Sequence, residues 1–397
     1  MPSPTEPPDR LAAMRPSDIR QVHDMAEALA KRDPKRRIIR LHFGEPDLGT
    51  PPYIVEAACA ALRNGAVFYE NNSGRPDLKA ALSAHHGARS GAAITPEHFV
   101  VTCGGMQAIN LTLMGLVSNG DHVINITPAW PNFAQAAQMA GAQVRDVPLR
   151  FDPDQSVFHL DLDQLERAVR ISGRVRMIMV ASPSNPTGWV MSADEQNALV
   201  ELCRRHDLYL LCDEMYDRIV FSDGPMSSML RLINNFDRLI LINGFSKTYC
   251  MTGWRLGYLI TEPARAARLA QLQEFITSHA PSMAQVAAIT ALRDGEPFVQ
   301  QSLDRYRRLR GLVLRRLRQI DGAAVARPDG SFYAFFSLPQ SSDCVTFCRE
   351  LLEQTSVVLA PGSAFGAGGE GWLRLCFANE AQLLEEAMDR LERFVQG

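Results

Sequence analysis

Short apolar runs alternate with amphipathic segments between residue 49 and about residue 300. The runs are FVVTCGG, DHVINITP, AQVRDVPL, VRMIMVASPS, LYLLCDE, RLILINGFS and LGYLI. Nearly continuous apolar runs are typical of strands buried on both faces, and strands that alternate with helices favour a parallel sheet. The pattern therefore predicts an α/β unit over residues 49–297, in which helices cover a mainly parallel sheet.

The pattern changes on both sides of this unit. Apolar residues at helical spacing predict a helix from Asp18 to Lys31, and RIIRLHFGEPD predicts an extended segment that ends at Gly44. After residue 300, a long helix in SLDRYRRLRGLVLRRLRQI precedes the strand-like run FYAFFSL. We therefore predict a smaller α+β domain over residues 298–397. Residues 1–48 contribute part of that domain and a loose arm, rich in proline, up to about residue 15.

The charge balance disfavours strongly charged partners. The chain has 41 basic and 44 acidic residues, a formal charge of -3, so no global field attracts nucleic acid or an anionic membrane. Seven arginines cluster within residues 305–318, but Leu309, Val313 and Leu317 share an apolar face there, so we interpret the arginines as the solvated face of a helix. No apolar run approaches the ~20 residues that span a bilayer. The first residues resemble no signal peptide, and we expect a cytoplasmic protein.

Neither the cysteines nor the glycine-rich segment predicts a ligand site. The eight cysteines are scattered, mostly in apolar surroundings, and we expect them to be reduced. The nearest pair, Cys344 and Cys348, has no partner residues at zinc spacing, so we expect no metal. GAGGEG at residues 366–371 matches a dinucleotide-binding pattern but precedes a strand-like run instead of opening a helix, which favours an ordinary loop.

Polar groups follow several predicted strands, where open α/β sheets bind ligands. VVTCGGMQAIN places two glycines between a predicted strand and a predicted helix. The glycines either direct backbone N–H groups toward a phosphate or only form a tight turn. Asn185 follows another strand, with an ordinary turn at NPTG as the alternative. Asp213 ends LYLLCDE, where a buried carboxylate needs a cation or a proton donor.

Lys247 follows RLILING in the same way, within NGFSKTYCMTGWR. An amine held there with a lowered pKa is a nucleophile toward carbonyl groups. A lysine amine, a carboxylate for a ring nitrogen and a phosphate cradle are together what pyridoxal 5′-phosphate requires. These residues therefore predict this cofactor.

Seven motifs, in this order, resemble the class I aminotransferases of fold type I, and among them the bacterial aspartate and aromatic aminotransferases. The motifs are GEPD, VVTCGGMQA, TPAW, SPSNPTG, DEMY, SKTYCMTGWR and LRLCFA. The resemblance covers the chain from about residue 14 to its end. It implies a large domain whose mainly parallel seven-stranded sheet lies between helices, and transfer of an amino group from an α-amino acid to an α-keto acid.

The resemblance also implies a role for each matching residue. Lys247 would form the internal aldimine with the cofactor and would then act as general base and acid. Asp213 would pair with the ring nitrogen, while Tyr216 and Asn185 would hydrogen-bond the ring's phenolate oxygen. Trp130 would stack on the ring and border the substrate.

The same resemblance implies a phosphate site and a dimer. Arg255 would bind the cofactor phosphate. The turn at Gly104 and the N–H groups of Gly105 and Met106 would complete the cradle. Tyr69 would reach the phosphate of the neighbouring subunit, so that the active form would be a homodimer.

For the substrate, the resemblance assigns the α-carboxylate to Arg374 in a bidentate pair, assisted by the N–H of Gly44 and the amide of Asn185. In one group of bacterial aspartate aminotransferases, a lysine and a threonine bind the distal carboxylate. This chain has Met106 and Ile19 at those positions. Because neither side chain neutralises a carboxylate, we predict an amino donor with an uncharged, apolar or aromatic side chain.

Two other functions stay open at this point. A β- or γ-lyase or a cyclising synthase would use the same lysine, carboxylate and arginine on the same scaffold. A transcription regulator with an aminotransferase-like sensor would need a DNA-binding domain, and the residues before GEPD are too few and lack a helix-turn-helix pattern.

Besides Met106 and Ile19, this chain departs from many members of the family at Gly244, where they have a serine that contacts the phosphate.

Overall fold

The computed structural model of the chain describes residue 14, residues 16–222 and residues 224–396. Most of the arm predicted up to about residue 15 lies outside these residues. All eight cysteines lie within them and are free thiols. Within the same ranges, no helix has the length and apolar character that a bilayer crossing requires.

Several helices begin after a residue whose side chain caps a free N–H group. Ser192 Oγ accepts from the N–H of Glu195, and the Glu195 carboxylate accepts from the N–H of Ser192, which is a capping box. The helices are α1 (Asp18–Arg32), α2 (Pro52–Arg63), α3 (Pro76–Ser90), α4 (Gly105–Leu116), α5 (Asn132–Met139), α6 (Leu162–Ile171), α7 (Ala193–Arg205), α8 (Pro263–Glu274), α9 (Ser282–Asp294), α10 (Glu296–Leu317), α11 (Cys344–Thr355) and α12 (Ala381–Gln396).

The strands form one large sheet, one smaller sheet and two isolated pairs. In chain order they are β1 (Ile39–Arg40), β2 (Phe99–Thr102), β3 (His122–Thr127), β4 (Gln143–Pro148), β5 (Arg150–Asp152), β6 (Val157–His159), β7 (Val175–Ala181), β8 (Tyr209–Asp213), β9 (Leu239–Gly244), β10 (Gly257–Thr261), β11 (Ala324–Val325), β12 (Tyr333–Ser337), β13 (Val357–Val358), β14 (Ala360–Pro361) and β15 (Trp372–Cys376).

The large sheet has the order β2-β10-β9-β8-β7-β3-β4. Each of the seven predicted apolar runs supplies one of its strands. Five of the strands, from β9 to β4, run parallel, whereas β10 is antiparallel to both of its neighbours. The fold class predicted from the sequence, a mainly parallel seven-stranded sheet between helices, is therefore confirmed.

The smaller sheet is antiparallel, with the order β11-β12-β15-β14. Its buried side chains share one apolar core with α1, α10, α11 and α12. The short strand β1 pairs in parallel with β13, which ties the segment after α1 to this part of the molecule. The helix predicted from Asp18 to Lys31 is confirmed as α1, whereas the exact domain boundaries stay a prediction.

The arginine-rich helix α10 buries Leu309, Val313 and Leu317, as its apolar face predicts. Its arginines are more than a solvated face. Arg316 pairs with carboxylates of α12, and Arg305 Nη1 lies 2.6 Å from Asp47 Oδ1. Those ion pairs join residues far apart in sequence, so the helical pattern alone did not predict them.

The carboxyl ends of β7, β8 and β9 meet at one edge of the large sheet. Ala181 pairs with Asp213, and Asp213 pairs with Ile242, so the three strands end at nearly the same level. The loops that carry Asn185 and Lys247 leave the sheet beside Asp213, where parallel sheets bind ligands.

Candidate active site

A cavity of about 380 Å³ opens at this edge of the sheet. Most of the site residues predicted from the sequence line it: Ile19, Gly44, Gly105, Met106, Trp130, Asn185, Asp213, Tyr216, Lys247, Arg255 and Arg374. Two predicted residues do not line the cavity. Gly104 lies behind the Arg255 guanidinium, and Tyr69 lies on the surface.

Lys247 follows β9 and projects its amine into this cavity. Its Nζ donates a hydrogen bond to the carbonyl of Gly44 at 2.5 Å and lies 5.9 Å from the ring centre of Phe332. Burial lowers the pKa of Lys247 to about 8. At pH 7 about a tenth of such amines are neutral, against far fewer than one in a hundred at the ordinary lysine pKa. The amine is therefore a competent nucleophile near neutral pH.

Asp213 ends β8 and is buried beside the cavity. Burial raises its pKa to about 6, against the opposing effects of the Met215 N–H, which donates to Oδ1 at 2.8 Å, and of Lys247. The group is mostly a carboxylate at pH 7. A buried carboxylate of this kind stabilises a cation that enters the cavity, such as a protonated ring nitrogen.

The next residue, Glu214, points away from the cavity. Its carboxyl group accepts from Ser228 Oγ at 2.6 Å and from the Met229 N–H at 2.7 Å. Burial raises the pKa of Glu214 to about 8, so that this group is mainly protonated at pH 7. Adjacent acidic residues thus have different protonation states, and only Asp213 presents a negative charge to the cavity.

Tyr216 hydrogen-bonds a residue that sequence reasoning missed. Its hydroxyl lies 2.6 Å from the hydroxyl of Tyr333, the first residue of β12, and both side chains are buried at the cavity wall. A Cβ on Gly44 would overlap the Tyr333 hydroxyl, so this approach requires glycine at position 44. Nothing in FYAFFSL distinguishes Tyr333 from the core aromatic residues around it, because its neighbour in the site comes from another part of the chain.

The glycine turn before α4 and Arg255 form a cradle for an anion. Gly104 has φ of 80° and Arg255 has φ of 56°, and a Cβ on Gly104 would lie 2.5 Å from Arg255 Nη2. Only glycine there lets the guanidinium approach the start of α4, where helix N–H groups are free. A phosphate group fits this combination of a cation and a helix N-terminus.

Gly244, which departs from many relatives, is explained by packing. A Cβ at this position would lie 3.0 Å from Gly257 Cα and 3.1 Å from the carbonyl oxygen of Leu256. The strands β9 and β10 approach each other so closely here that a serine Cβ would require its neighbours to shift by a few tenths of an ångström. Ser246 lines the cavity beside Lys247, but the structure gives it no phosphate-binding role.

Arg374 lies on β15 and is 3% exposed. Its Nη1 donates to Asn185 Oδ1 at 2.8 Å and its Nη2 donates to the carbonyl of His42, while the guanidinium lies between the rings of Tyr333 and Phe365. The Nε of Arg374 has no hydrogen-bond partner among the described residues, 16–222 and 224–396. A buried guanidinium held only by neutral acceptors and rings is suited to an incoming carboxylate.

Part of the cavity lining is apolar. Ile19 from α1 and Met106 and Ile109 from α4 form this part, together with Phe133. The Asn132 amide is also part of the lining, and its Nδ2 lies 3.6 Å from the Met106 sulfur. The two positions that the sequence singled out for substrate choice therefore both line this cavity.

Tyr69 is 90% exposed, and its ring centre lies 5.8 Å from that of His279. The carbonyl of His279 lies 3.8 Å from Cys103 Sγ, directly before the glycine turn. Tyr69 therefore lies on the surface near the segment that precedes the glycine turn, and it does not line the cavity of its own chain.

Together, a lysine amine, a buried carboxylate, an anion cradle and a carboxylate-binding arginine at the edge of an α/β sheet define a pyridoxal-phosphate enzyme of fold type I that acts on amino acids. Residues 36–391 match the family of class I and II aminotransferases. The chain belongs to this family and is a pyridoxal-phosphate-dependent aminotransferase.

The comparisons with individual proteins agree. The chain is 34% identical to aspartate aminotransferase of Thermotoga maritima over 388 residues, which are 98% of this chain and 99% of the relative. It is 33% identical to aromatic-amino-acid aminotransferase 2 of Thermococcus litoralis over 392 residues, 98% of each chain. The structure of the aspartate aminotransferase from Rhizobium meliloti superposes with a TM-score of 0.91 at 30% identity, covering 98% and 99% of the two chains.

Proposed function

We propose that this aminotransferase prefers amino donors with uncharged, apolar or aromatic side chains over aspartate. The observation that carries the proposal is the apolar part of the lining, Ile19, Met106 and Ile109, in the cavity that also contains Arg374. A distal carboxylate against this lining would lose water without gaining a cation, at a cost of several kcal/mol. An aromatic or branched apolar side chain would bury its surface there instead.

The proposed roles in cofactor binding follow from the cavity. Arg255, Gly104, Gly105 and the N–H of Met106 hold the phosphate. Trp130 packs on the ring face. When bound, the cofactor supplies an electron-withdrawing ring that acidifies the α-hydrogen of the attached amino acid.

The proposed roles in proton transfer belong to residues at the strand ends. Asp213 keeps the proton on the ring nitrogen. Tyr216 and Asn185 hydrogen-bond the ring's oxygen substituent. The Lys247 amine removes the α-proton and returns it later in the transfer.

The substrate is oriented by its α-carboxylate. Arg374 binds that group with its buried guanidinium, and Asn185 and the N–H of Gly44 assist. Because the amine of Lys247 already contacts the carbonyl of Gly44, the carboxylate site and the proton-transfer group border the same short segment. The substrate side chain then faces Ile19 and Met106.

A single-turnover screen of amino donors tests the substrate preference. The loaded enzyme is mixed with one donor, and the loss of its visible absorbance gives k/K. We expect phenylalanine, leucine and methionine to exceed aspartate. Met106→Lys should raise k/K for aspartate and lower that for leucine, because it adds a cation to the apolar lining.

Wild-type k/K for aspartate at or above that for the three apolar donors would refute the preference. The same reactions separate transfer from elimination. With an amino donor alone, a transferase converts the one cofactor molecule at each site to its pyridoxamine form and then stops. A lyase instead releases keto acid and ammonia continuously.

We propose that the chain acts as a homodimer. Val67, Phe68, Tyr69 and Phe275 are exposed by 63%, 78%, 90% and 83%, an unusual density of apolar surface. Within this set, the ring of Tyr69 lies 5.8 Å from that of His279, centre to centre. In a two-fold dimer the same patch would be covered on both copies, and we propose that Tyr69 of one copy then reaches the cradle of the other. The cytoplasmic location stays a prediction from the sequence.

Tyr69→Phe should weaken cofactor retention by the value of one charge-assisted hydrogen bond, ~1.5–3 kcal/mol. The dissociation constant of pyridoxal phosphate, measured by equilibrium dialysis of the dimer, reports this change. Tyr53→Phe is the matched control, since Tyr53 is also partly exposed and does not line the cavity. A fully active monomer in sedimentation, or equal affinity in the Tyr69→Phe variant and wild type, would contradict the dimer and the role of Tyr69.

A further inference from the structure

Tyr333 is a polar side chain of the cavity to which the proposed roles assign no function. It begins β12, is 1% exposed and lines the cavity. Its hydroxyl lies 2.6 Å from that of Tyr216, and a Cβ on Gly44 would overlap it. Close packing therefore holds this hydroxyl beside Tyr216.

The ring of Tyr333 also lies under a cation. The Arg374 guanidinium is 4.5 Å from the ring centre, and its charge opposes the rise in the pKa of Tyr333 that burial causes. Burial raises the pKa of Tyr216 as well, so both hydroxyls keep their protons at neutral pH. The other titratable group that acts on both phenols is the Cys376 thiol, whose own pKa burial also raises. The cation makes Tyr333 a stronger hydrogen-bond donor than an ordinary buried phenol.

The direction of the bond between the two hydroxyls decides what Tyr216 can do. A phenol has one O–H donor and can accept at the same oxygen. If Tyr216 donated to Tyr333, its single proton would no longer be available to the ring oxygen of the cofactor. If Tyr333 donates instead, Tyr216 accepts at its oxygen and keeps its proton for the cofactor. The nearby charge of Arg374 favours the second arrangement.

We propose that Tyr333 is a positioning residue, which donates a hydrogen bond to the Tyr216 hydroxyl and thereby directs and strengthens the bond from Tyr216 to the cofactor's ring oxygen. This inference rests on the role proposed for Tyr216. A hydroxyl that accepts a hydrogen bond becomes a better donor, since successive bonds polarise one another by roughly 10–30% per bond. The effect reaches the ring oxygen, whose charge sets how tightly a proton beside it is held.

The pH dependence of the visible absorbance of the loaded enzyme tests the inference without any amino donor. The midpoint of this titration reports how tightly the proton beside the ring oxygen is held. Tyr216→Phe removes a donor to that oxygen, so the midpoint should rise by about 1–2 pH units, the value of one charge-assisted hydrogen bond. Tyr333→Phe keeps the ring under Arg374 and removes only the hydroxyl, so the midpoint should rise less, by roughly 0.2–0.6 pH unit.

The double variant shows whether Tyr333 acts through Tyr216. In the Tyr216→Phe background, adding Tyr333→Phe should move the midpoint no further, because the bond that Tyr333 strengthens is already gone. Equal shifts from Tyr333→Phe in both backgrounds, or no shift in the wild-type background, would overturn the inference. A shift from Tyr216→Phe alone would leave the role of Tyr216 standing and remove only the inference. An unchanged midpoint in Tyr216→Phe would refute both.

Tyr306→Phe is the matched control. Tyr306 is a second buried tyrosine, its ring packs near that of Phe332, and it does not line the cavity. Its hydroxyl has no hydrogen-bond partner among the residues that the structure describes. The midpoint should stay at the wild-type value, because this hydroxyl lies outside the proposed chain of hydrogen bonds. A shift as large as that of Tyr333→Phe would mean that the loss of any buried hydroxyl disturbs the site, and would overturn the inference.

Discussion

Replacing Lys247 by alanine should abolish turnover and remove the visible absorbance of the loaded enzyme. The amine at the end of β9 is the one lysine that lines the cavity among the described residues, and its lowered pKa makes it a nucleophile near pH 7. The fold should persist, because the substitution removes a desolvated amine and its hydrogen bond to Gly44. Absorbance spectra, a steady-state assay and circular dichroism are the measurements.

Lys35→Ala is the control for this prediction, since that lysine is exposed and does not line the cavity. Its spectrum and rate should match those of wild type. A Lys247→Ala protein that kept both the absorbance and the activity would show that another amine holds the cofactor. Loss of activity together with loss of helical signal would instead indicate a structural role for Lys247, against the expectation.

Replacing Asp213 by alanine should lower kcat by about 10²- to 10³-fold, the range seen when a positioned electrostatic group is removed. Without its carboxylate, the site no longer holds a proton on the ring nitrogen, and a neutral ring withdraws electrons less strongly. The steady-state rate with a preferred donor checks this. Activity within a few fold of wild type would remove Asp213 from the role.

The neighbouring carboxyl group provides a strict control. Glu214→Gln replaces a group that is mainly protonated at pH 7 and that contacts Ser228 and Met229 outside the cavity. Because this change removes little charge, kcat should stay near the wild-type value. A comparable loss of kcat in both variants would mean that general disruption of the β8 end, and not the Asp213 charge, causes the effect.

The sequence predicted the elements whose pattern is local. The apolar runs supplied the strands of the large sheet, and Ser192 with Glu195 marked the start of α7, since both depend on neighbouring residues. The residues placed after strand ends, Asn185, Asp213 and Lys247, met in one cavity because parallel strands end at a common edge.

What the sequence did not predict depends on contacts between distant segments. The pairing of β1 with β13 joins residues more than 300 positions apart, and the insertion of antiparallel β10 between β2 and β9 has no periodic signature. Tyr333 escaped notice for the same reason, since only the folded chain places its hydroxyl beside Tyr216. The ion pair of Arg305 with Asp47 likewise appears only when α10 packs against the GEPD loop.

The close packing of the glycines suggests how this catalyst can diversify. A Cβ on Gly44 would overlap Tyr333, and a Cβ on Gly257 would lie 2.6 Å from the backbone nitrogen of Gly105, so mutation there damages the chemical half of the cavity. Ile19, Met106 and Ile109 also line the cavity and, unlike the glycines, already carry side chains there. Mutant libraries confined to these three positions should change which amino acids the enzyme accepts. The side chains that act in proton transfer would stay unchanged, so new donor specificities can be selected separately from catalytic activity.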